Sequence, residues 1–204
     1  MTQHQVHAPC RIIGLDPGLQ VTGYAVLEVA EAGPKVCEAG VIRSTAGQAT
    51  ADMAQRIRTL YDGLCEVLDQ WKPTYMAIEQ LYAHYDHPRT AILMAHARGS
   101  FFLAGAQRNI PVVSYASTKV KKLVTGSGRA GKEQMQRAIA RELGLAQPPE
   151  PHDVADALAV ALCHYFASGH AFSGGSRSVT FTGVNRAALF GPDPDNLDIS
   201  EEES

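Results

Sequence analysis

Four carboxylates stand at positions in the sequence where they could share one site. Asp16 ends one short apolar run and Glu79 ends another. If these runs are parallel neighbouring strands, both acids emerge at the same edge of a sheet, where open α/β sheets bind ligands. Asp153 and Asp156 are three residues apart near the start of a predicted helix, so they share one helix face. The spacing predicts a site of four acids if that helix begins at the same edge.

Gathered carboxylates repel one another, and burial raises their pKa values unless a cation joins them. Hard divalent cations such as Mg²⁺ and Mn²⁺ prefer oxygen ligands. Two such ions about 3.5–4 Å apart can activate water and stabilise the leaving oxygen in phosphodiester hydrolysis. The four acids therefore predict phosphoryl chemistry that depends on Mg²⁺ or Mn²⁺, with two ions in the site.

A structural role is the alternative for each of these acids. Asp16 could only shape the turn that follows it, and Asp153 and Asp156 could only favour the start of a helix. Glu79 ends an apolar strand and is harder to explain in this way.

Hydrophobic spacing predicts the elements that must position the acids. Strands are predicted at 11–15, 21–29, 35–43, 74–78 and 111–115, and helices at 50–71, 89–107, 117–124, 132–143 and 152–167. This order is typical of an α/β fold with a mixed five-stranded sheet flanked by helices. After the first strand, Pro17 and Gly18 predict a type II turn. Helix 89–107 is apolar around much of its circumference, which indicates that a partner subunit covers part of it.

The net charge of −3 hides a strong separation of charge along the chain. Residues 89–141 carry ten basic side chains and one acid, whereas residues 191–204 carry six acids and no base. The basic stretch predicts a surface for a polyanion, and solvated helix faces are the alternative. We predict a flexible N-terminus at 1–10, one α/β domain at 11–168 and a disordered acidic tail at 169–204.

Other sequence patterns exclude several classes of protein. No run of about 18 apolar residues predicts a membrane span, and the N-terminus does not resemble a secretory signal. The four cysteines are widely scattered, which argues against a zinc site or disulfide framework and suits a reducing cytosol. Residues 126–132 nearly match a nucleotide-binding loop, but Glu133 stands where Ser or Thr would hold Mg²⁺.

Five motifs together resemble the RuvC family of Holliday junction resolvases. In order they are GLDPG…TGYAV, AIEQLY, HARG, KVKKLVTGSGRAGK and DVADALAVALCH, and the resemblance spans residues 11–166. It implies an RNase H-like fold, a homodimer, and symmetric nicking of two like-polarity strands of a four-way DNA junction in recombination and repair. It also implies a branch-migration complex of the RuvA and RuvB type as partner, and a place in the bacterial cytoplasm, on the nucleoid during repair.

The resemblance also assigns roles to individual residues. The family's metal-binding acids fall on Asp16, Glu79, Asp153 and Asp156; some relatives carry His at the third position, where this chain has Asp preceded by His152. Tyr82 matches an aromatic residue that stacks on a base of the opened junction. The residues that match family DNA contacts are Lys121 and Lys132. Further DNA contacts, predicted from the charge of the basic stretch, are Arg98, Lys119, Lys122 and Arg129.

Three alternative functions use related features. A non-catalytic junction-binding protein could keep the fold, although the presence of all four acids weighs against it. An actin-like ATPase also places an acid after its first strand, but it needs a duplicated domain that a chain of 204 residues cannot supply. Cleavage of RNA–DNA hybrids by a monomer would use the same chemistry, and the substrate distinguishes it.

Overall fold

The strands and helices lie where the apolar runs and helical spacings of the sequence predict them. The computed structural model describes residues 9–44, 52–81 and 88–169. Within them the strands are β1 (Arg11–Asp16), β2 (Val21–Ala30), β3 (Gly33–Arg43), β4 (Tyr75–Glu79) and β5 (Val112–Tyr115). The helices are α1 (Met53–Trp71), α2 (Pro88–Gln107), α3 (Ser117–Thr125), α4 (Lys132–Glu142) and α5 (His152–Ala167). Helix α5 has the predicted bounds at both ends, and α1 begins later than predicted because Asp52 caps it, its carboxylate accepting from the Gln55 N–H at 2.8 Å.

The five strands form one mixed sheet in the order β3-β2-β1-β4-β5. Strands β1, β2 and β3 are an antiparallel meander, whereas β1, β4 and β5 run parallel. The predicted mixed sheet flanked by helices is therefore confirmed. Leu15 of β1 pairs with Ile78 of β4, so the next residue on each strand is one of the predicted acids.

Helices cover both faces of the sheet and bury two separate apolar cores. Helices α3, α4 and α5 pack on one face, and α1 and α2 pack on the other. Helix α5 lies directly on β1 and β2 and is covered in turn by α3 and α4. This double coverage explains why every residue from Val154 to Phe166 except Asp156 is buried. A helix so enclosed is a rigid support for the acids near its start.

The turn after β1 differs from the prediction. Gly18 does not have the positive φ that a type II turn requires at that position. The buried Thr22 closes the turn instead: its Oγ1 donates to the Gly18 carbonyl at 2.8 Å and accepts from the Gly18 N–H at 3.3 Å. A Cβ at Gly18 would lie 2.2 Å from the Val21 carbonyl oxygen, so close approach, rather than backbone conformation, favours glycine here.

Several predictions fall outside the described residues. They include Tyr82, almost all of the N-terminal segment 1–10 and almost all of the acidic tail 169–204. Among the helices of the described ranges, none combines the length and the apolar character needed to cross a membrane.

Candidate active site

Asp16 and Glu79 lie at neighbouring strand ends on the same face of the sheet. Side chains alternate between faces along a strand. Leu15 and Ile78, which precede the two acids, are buried in the core beneath α1 and α2. Asp16 and Glu79 therefore point to the opposite face, which α5 covers. The sheet thus places one acid of the first strand beside one acid of the fourth, as the sequence predicts.

Two glycines bring the backbone of α5 into direct contact with the sheet. Gly23 of β2 is the pairing partner of Asp16, and a Cβ at Gly23 would lie 1.9 Å from the Asp153 carbonyl oxygen. A Cβ at Gly14 of β1 would lie 2.3 Å from the Ala157 carbonyl oxygen. Only residues without a side chain allow this approach, and it brings the start of α5 against the strand partner of Asp16.

The other three acids lie close enough to Asp16 to raise the pKa of its carboxyl. Burial and then the charges of Asp156, Glu79 and Asp153 together raise the pKa of Asp16 to about 7. Burial and then Asp156 raise the pKa of Glu79, also to about 7, against the opposing effect of Lys121. Carboxylates that influence one another in this way share a poorly hydrated space.

Lysines line the cleft that opens beside these acids. The cleft has a volume of about 200 Å³, and its walls include Glu79, Asp156, His152, Lys121 and Lys132. Asp156 keeps part of its surface exposed, but partial loss of hydration in the cleft raises the pKa of its carboxyl, while Lys132, His152 and Lys121 oppose that rise. A cleft lined by both acids and ammonium groups suits a phosphate group: the ammonium groups can bind its oxygens directly, and the acids can bind it through a divalent cation.

The donor set fits a hard divalent cation. All four groups offer carboxylate oxygens, and a cation would remove the repulsion that raises their pKa values. As the side chains stand, no three His, Cys, Asp or Glu residues in ranges 9–44, 52–81 and 88–169 are arranged to hold a metal ion. The case for a metal therefore depends on the chemistry and convergence of the acids.

Comparison with known proteins identifies the family. The sequence profile described as crossover junction endodeoxyribonuclease RuvC matches residues 12–164. The chain belongs to the RuvC family. It is 50% identical to the RuvC of Rhodopirellula baltica over 160 residues, and the match covers 77% of this chain and 87% of that protein. The RuvC of Moorella thermoacetica is 40% identical over 153 residues, or 75% of this chain and 89% of the relative.

A solved RuvC structure confirms the fold. Thermus thermophilus RuvC in complex with a Holliday junction substrate has a TM-score of 0.72 and 29% identity, and the match covers 78% of this chain and 94% of that one. The RNase H-like fold that the resemblance implies is therefore confirmed.

The other residues predicted to contact DNA lie in different surroundings in this RuvC family member. Lys122 and Arg129 are exposed around the end of α3. The Lys119 ammonium lies 5.2 Å from the centre of the Tyr115 ring. Arg98 is partly buried on the other face of the sheet: its Nη2 donates to Ser114 Oγ at 2.7 Å. That position favours a role in holding α2 against β5, and its assignment as a DNA contact remains a prediction.

The sequence analysis missed the glycine contacts that position α5. Both glycines lie within the motif GLDPG…TGYAV, but a glycine in a strand pattern can equally indicate a bulge or a bend. A further contact holds α5 in place: His164 is buried in this helix and forms a 2.8 Å hydrogen bond with the Tyr115 hydroxyl. Tyr115 is the pairing partner of Glu79, so this bond ties α5 to the strand beside the site.

Replacing Gly23 with alanine should reduce junction cleavage strongly. The added Cβ would overlap the Asp153 carbonyl, so the start of α5 must move away from the sheet. A displacement of about 1 Å in a site of this kind can cost about 100-fold in rate. The cleavage rate per folded molecule, measured at saturating junction and saturating Mg²⁺, tests this expectation.

Gly40→Ala is the matched control for that substitution. It makes the same change in the same sheet, but the new Cβ would meet the Tyr24 hydroxyl and ring rather than α5. We expect this variant to lose some thermal stability and to keep its cleavage rate. Equal rates for the two variants would show that the contact at Gly23 does not position the acids.

Proposed function

We propose that this RuvC family member is a divalent-metal-dependent endonuclease that resolves four-way DNA junctions by paired, symmetric nicks in recombination and repair. The observation that carries the proposal is geometric: Asp16 and Glu79 end neighbouring strands, and the start of α5, which bears Asp153 and Asp156, packs against the strand partner of Asp16. The names of the relatives support it, since they are crossover junction endodeoxyribonucleases, and the Thermus thermophilus protein was solved with a Holliday junction.

The four acids would hold Mg²⁺ or Mn²⁺, with two ions in each subunit. Such ions, when bound, supply an activated water and stabilise the charge on the leaving oxygen. The acids would determine where the cations bind, because their backbones belong to the packed elements β1, β4 and α5. Lys121 and Lys132 border the same cleft and would bind the oxygens of the phosphate to be cut.

Further contacts to the junction complete the proposed substrate site. Lys122 and Arg129 are exposed beside the cleft-lining helices, and Lys119 lies on the same helix, α3. Tyr82 would stack on a base of the opened junction, a contact worth about 1–3 kcal/mol. Because phosphates dominate such an interface, binding would weaken steeply as salt is added.

The exposed apolar face of α2 supports the proposal of a homodimer. Ile92 and Leu103 are 58% and 53% exposed. They are 11 residues apart, which is about three turns, so they lie on one face of the helix. We propose that a second copy covers this face, because a two-fold dimer matches the near two-fold symmetry of a four-way junction. RuvA- and RuvB-type proteins would be the partners, on DNA in the bacterial cytoplasm.

Leu103→Asp should convert the dimer to a monomer. Burying a leucine is worth about 1.5–3 kcal/mol, and a two-fold interface loses it twice, so association should weaken by at least about 100-fold. Sedimentation velocity measures the oligomeric state. Thr59→Asp, which adds the same charge at an exposed position of α1, should leave it unchanged. A Leu103→Asp protein that sediments like the parent would exclude this interface.

Substrate comparison tests the proposed function as a whole. A synthetic four-way junction, an RNA–DNA hybrid and a linear duplex are each incubated with the protein and Mg²⁺. We expect paired nicks in like-polarity strands of the junction, and no comparable cutting of the other two. Junction binding without cutting would instead favour the non-catalytic alternative, and preference for the hybrid would favour a ribonuclease.

A further inference from the structure

A second groove lies on the other side of α4 from the cleft that holds the acids. It is open, has a volume of about 710 Å³ and is lined by Thr125, Gly131 and residues of α4. The charged side chains that line it are Lys132, Glu133, Arg137 and Arg141. Three bases against one acid make this groove attractive to a polyanion. We call it the α4 groove.

Lys132 connects the α4 groove to the active-site cleft. This side chain borders both cavities, whereas Met135, Gln136 and Ile139 face only the cleft and Arg137 faces only the groove. A chain of phosphates that passes the acids and contacts Lys132 is therefore at the entrance of the groove. We propose that the α4 groove binds the backbone of the DNA strand as it continues away from the phosphate that is cut.

The spacing of the bases along α4 suits a DNA backbone. Arg137 and Arg141 lie five and nine residues after Lys132. At 1.5 Å per residue they are about 7.5 and 13.5 Å further along the helix. One strand of duplex DNA presents a phosphate every 3.4 Å along its axis. The groove therefore spans about four nucleotides beyond Lys132, which is enough for each arginine to reach a different phosphate.

The contacts that these arginines make in the protein leave them able to bind DNA. Arg137 is 79% exposed and pairs at 3.4 Å with Glu133, which is itself 85% exposed. A surface ion pair of this kind contributes little to the stability of the protein, so Arg137 can exchange Glu133 for a DNA phosphate at low cost. Arg141 is 68% exposed, although it also pairs at 3.2 Å with the Glu142 carboxylate, which is 2% exposed. Arg137 is therefore the better position to test, because its removal leaves no buried carboxylate without a partner.

The test is the salt dependence of junction binding. This inference rests on the proposed function, so all proteins carry Glu79→Gln and are measured with chelator, by fluorescence anisotropy over a series of salt concentrations. Each lost phosphate contact should reduce the slope of log affinity against log salt by about 0.9. Because the proposed dimer loses the contact once in each subunit, we expect a reduction of about 1.8 for Arg137→Ala, and about twice that reduction when Arg141→Ala is added together with Glu142→Gln. The Glu142→Gln substitution avoids leaving a buried carboxylate without its arginine.

Arg58→Ala is the matched control. Arg58 is 83% exposed and pairs with Asp62 at four residues' distance on α1, as Arg137 pairs with Glu133 on α4. It removes the same charge and the same kind of ion pair, so we expect the parental slope. An Arg137→Ala slope equal to that of Arg58→Ala would overturn the proposal. If the parent and the Arg58→Ala protein both fail to bind the junction, the proposed function itself is wrong.

Neutral phosphates locate the contact on the DNA. A methylphosphonate is placed in turn at each of about four positions beyond the cut site. At one position, neutralising the phosphate should weaken binding by the parent but not by Arg137→Ala, because the contact is already lost. If every methylphosphonate weakens both proteins equally, Arg137 does not contact this strand.

Discussion

Glu79→Gln should lower the rate of junction cleavage by at least about 1,000-fold while leaving junction affinity within about twofold. Glutamine keeps the shape of the side chain but removes a negative oxygen ligand, and metal stabilisation of a phosphoryl transition state is worth several kcal/mol. Binding should persist because the lysines of the cleft and the basic surface remain. Single-turnover cleavage and anisotropy titrations on the same junction measure the two quantities.

Glu66→Gln provides the matched control for this experiment. It makes the same substitution at an exposed position of α1 and should cut at the parental rate. Cleavage by Glu79→Gln at a normal rate with Mg²⁺ would show that the roles of the acids are wrongly assigned. Loss of binding together with cleavage would place Glu79 in the DNA interface instead.

Asp16→Asn should make the metal-free protein more stable and inactive. Burial and three neighbouring acids raise the pKa of Asp16 from 3.8 to about 7. A carboxyl whose pKa is higher in the folded state holds its proton more tightly there, so it costs stability as pH rises from about 4 to above 7. The rise from 3.8 to about 7 corresponds to a cost of about 4 kcal/mol at pH 8. The buried amide keeps part of that cost because it must also lose its hydration, so we expect a gain on the order of 2 kcal/mol and a rise in Tm of about 4–8 °C.

Thermal unfolding with chelator at several pH values measures this effect. The gain from Asp16→Asn should be largest at pH 8 and shrink toward pH 4, where the acid is protonated in the folded state and partly protonated in the unfolded state. Asp62→Asn, on the surface of α1, should show no comparable gain at any pH. A loss of stability on Asp16→Asn substitution, or a gain in stability that does not change with pH, would mean that repulsion and burial of the acids do not destabilise the folded protein.

Periodicity predicts most of this fold because its elements are bounded by clear signals. The five apolar runs that form the sheet are short, and Pro73 and Pro111 stand just before β4 and β5. The convergence of Asp16 and Glu79 follows once β1 and β4 are parallel neighbours. The sequence shows that both acids follow apolar strands, and the parallel pairing then places them at the same edge of the sheet.

The features that sequence patterns do not reveal depend on side chains distant along the chain. The turn after β1 is closed by the Thr22 hydroxyl, so the Pro17–Gly18 signal predicts a turn but the wrong type. Gly23 looks like an ordinary strand residue until α5, 130 residues later, is placed against it. Charge alone could not show that Arg98 lies on the sheet face opposite the acids.

Mn²⁺ binding tests most directly whether the four acids form one site. Free Mn²⁺ is followed by electron paramagnetic resonance as it is added to the parent protein and to Asp16→Asn, Glu79→Gln, Asp153→Asn and Asp156→Asn. If the acids share the ions, each substitution should weaken binding by at least about tenfold, while Asp62→Asn binds like the parent. Parental binding that survives all four substitutions would place the metal elsewhere and contradict the shared site.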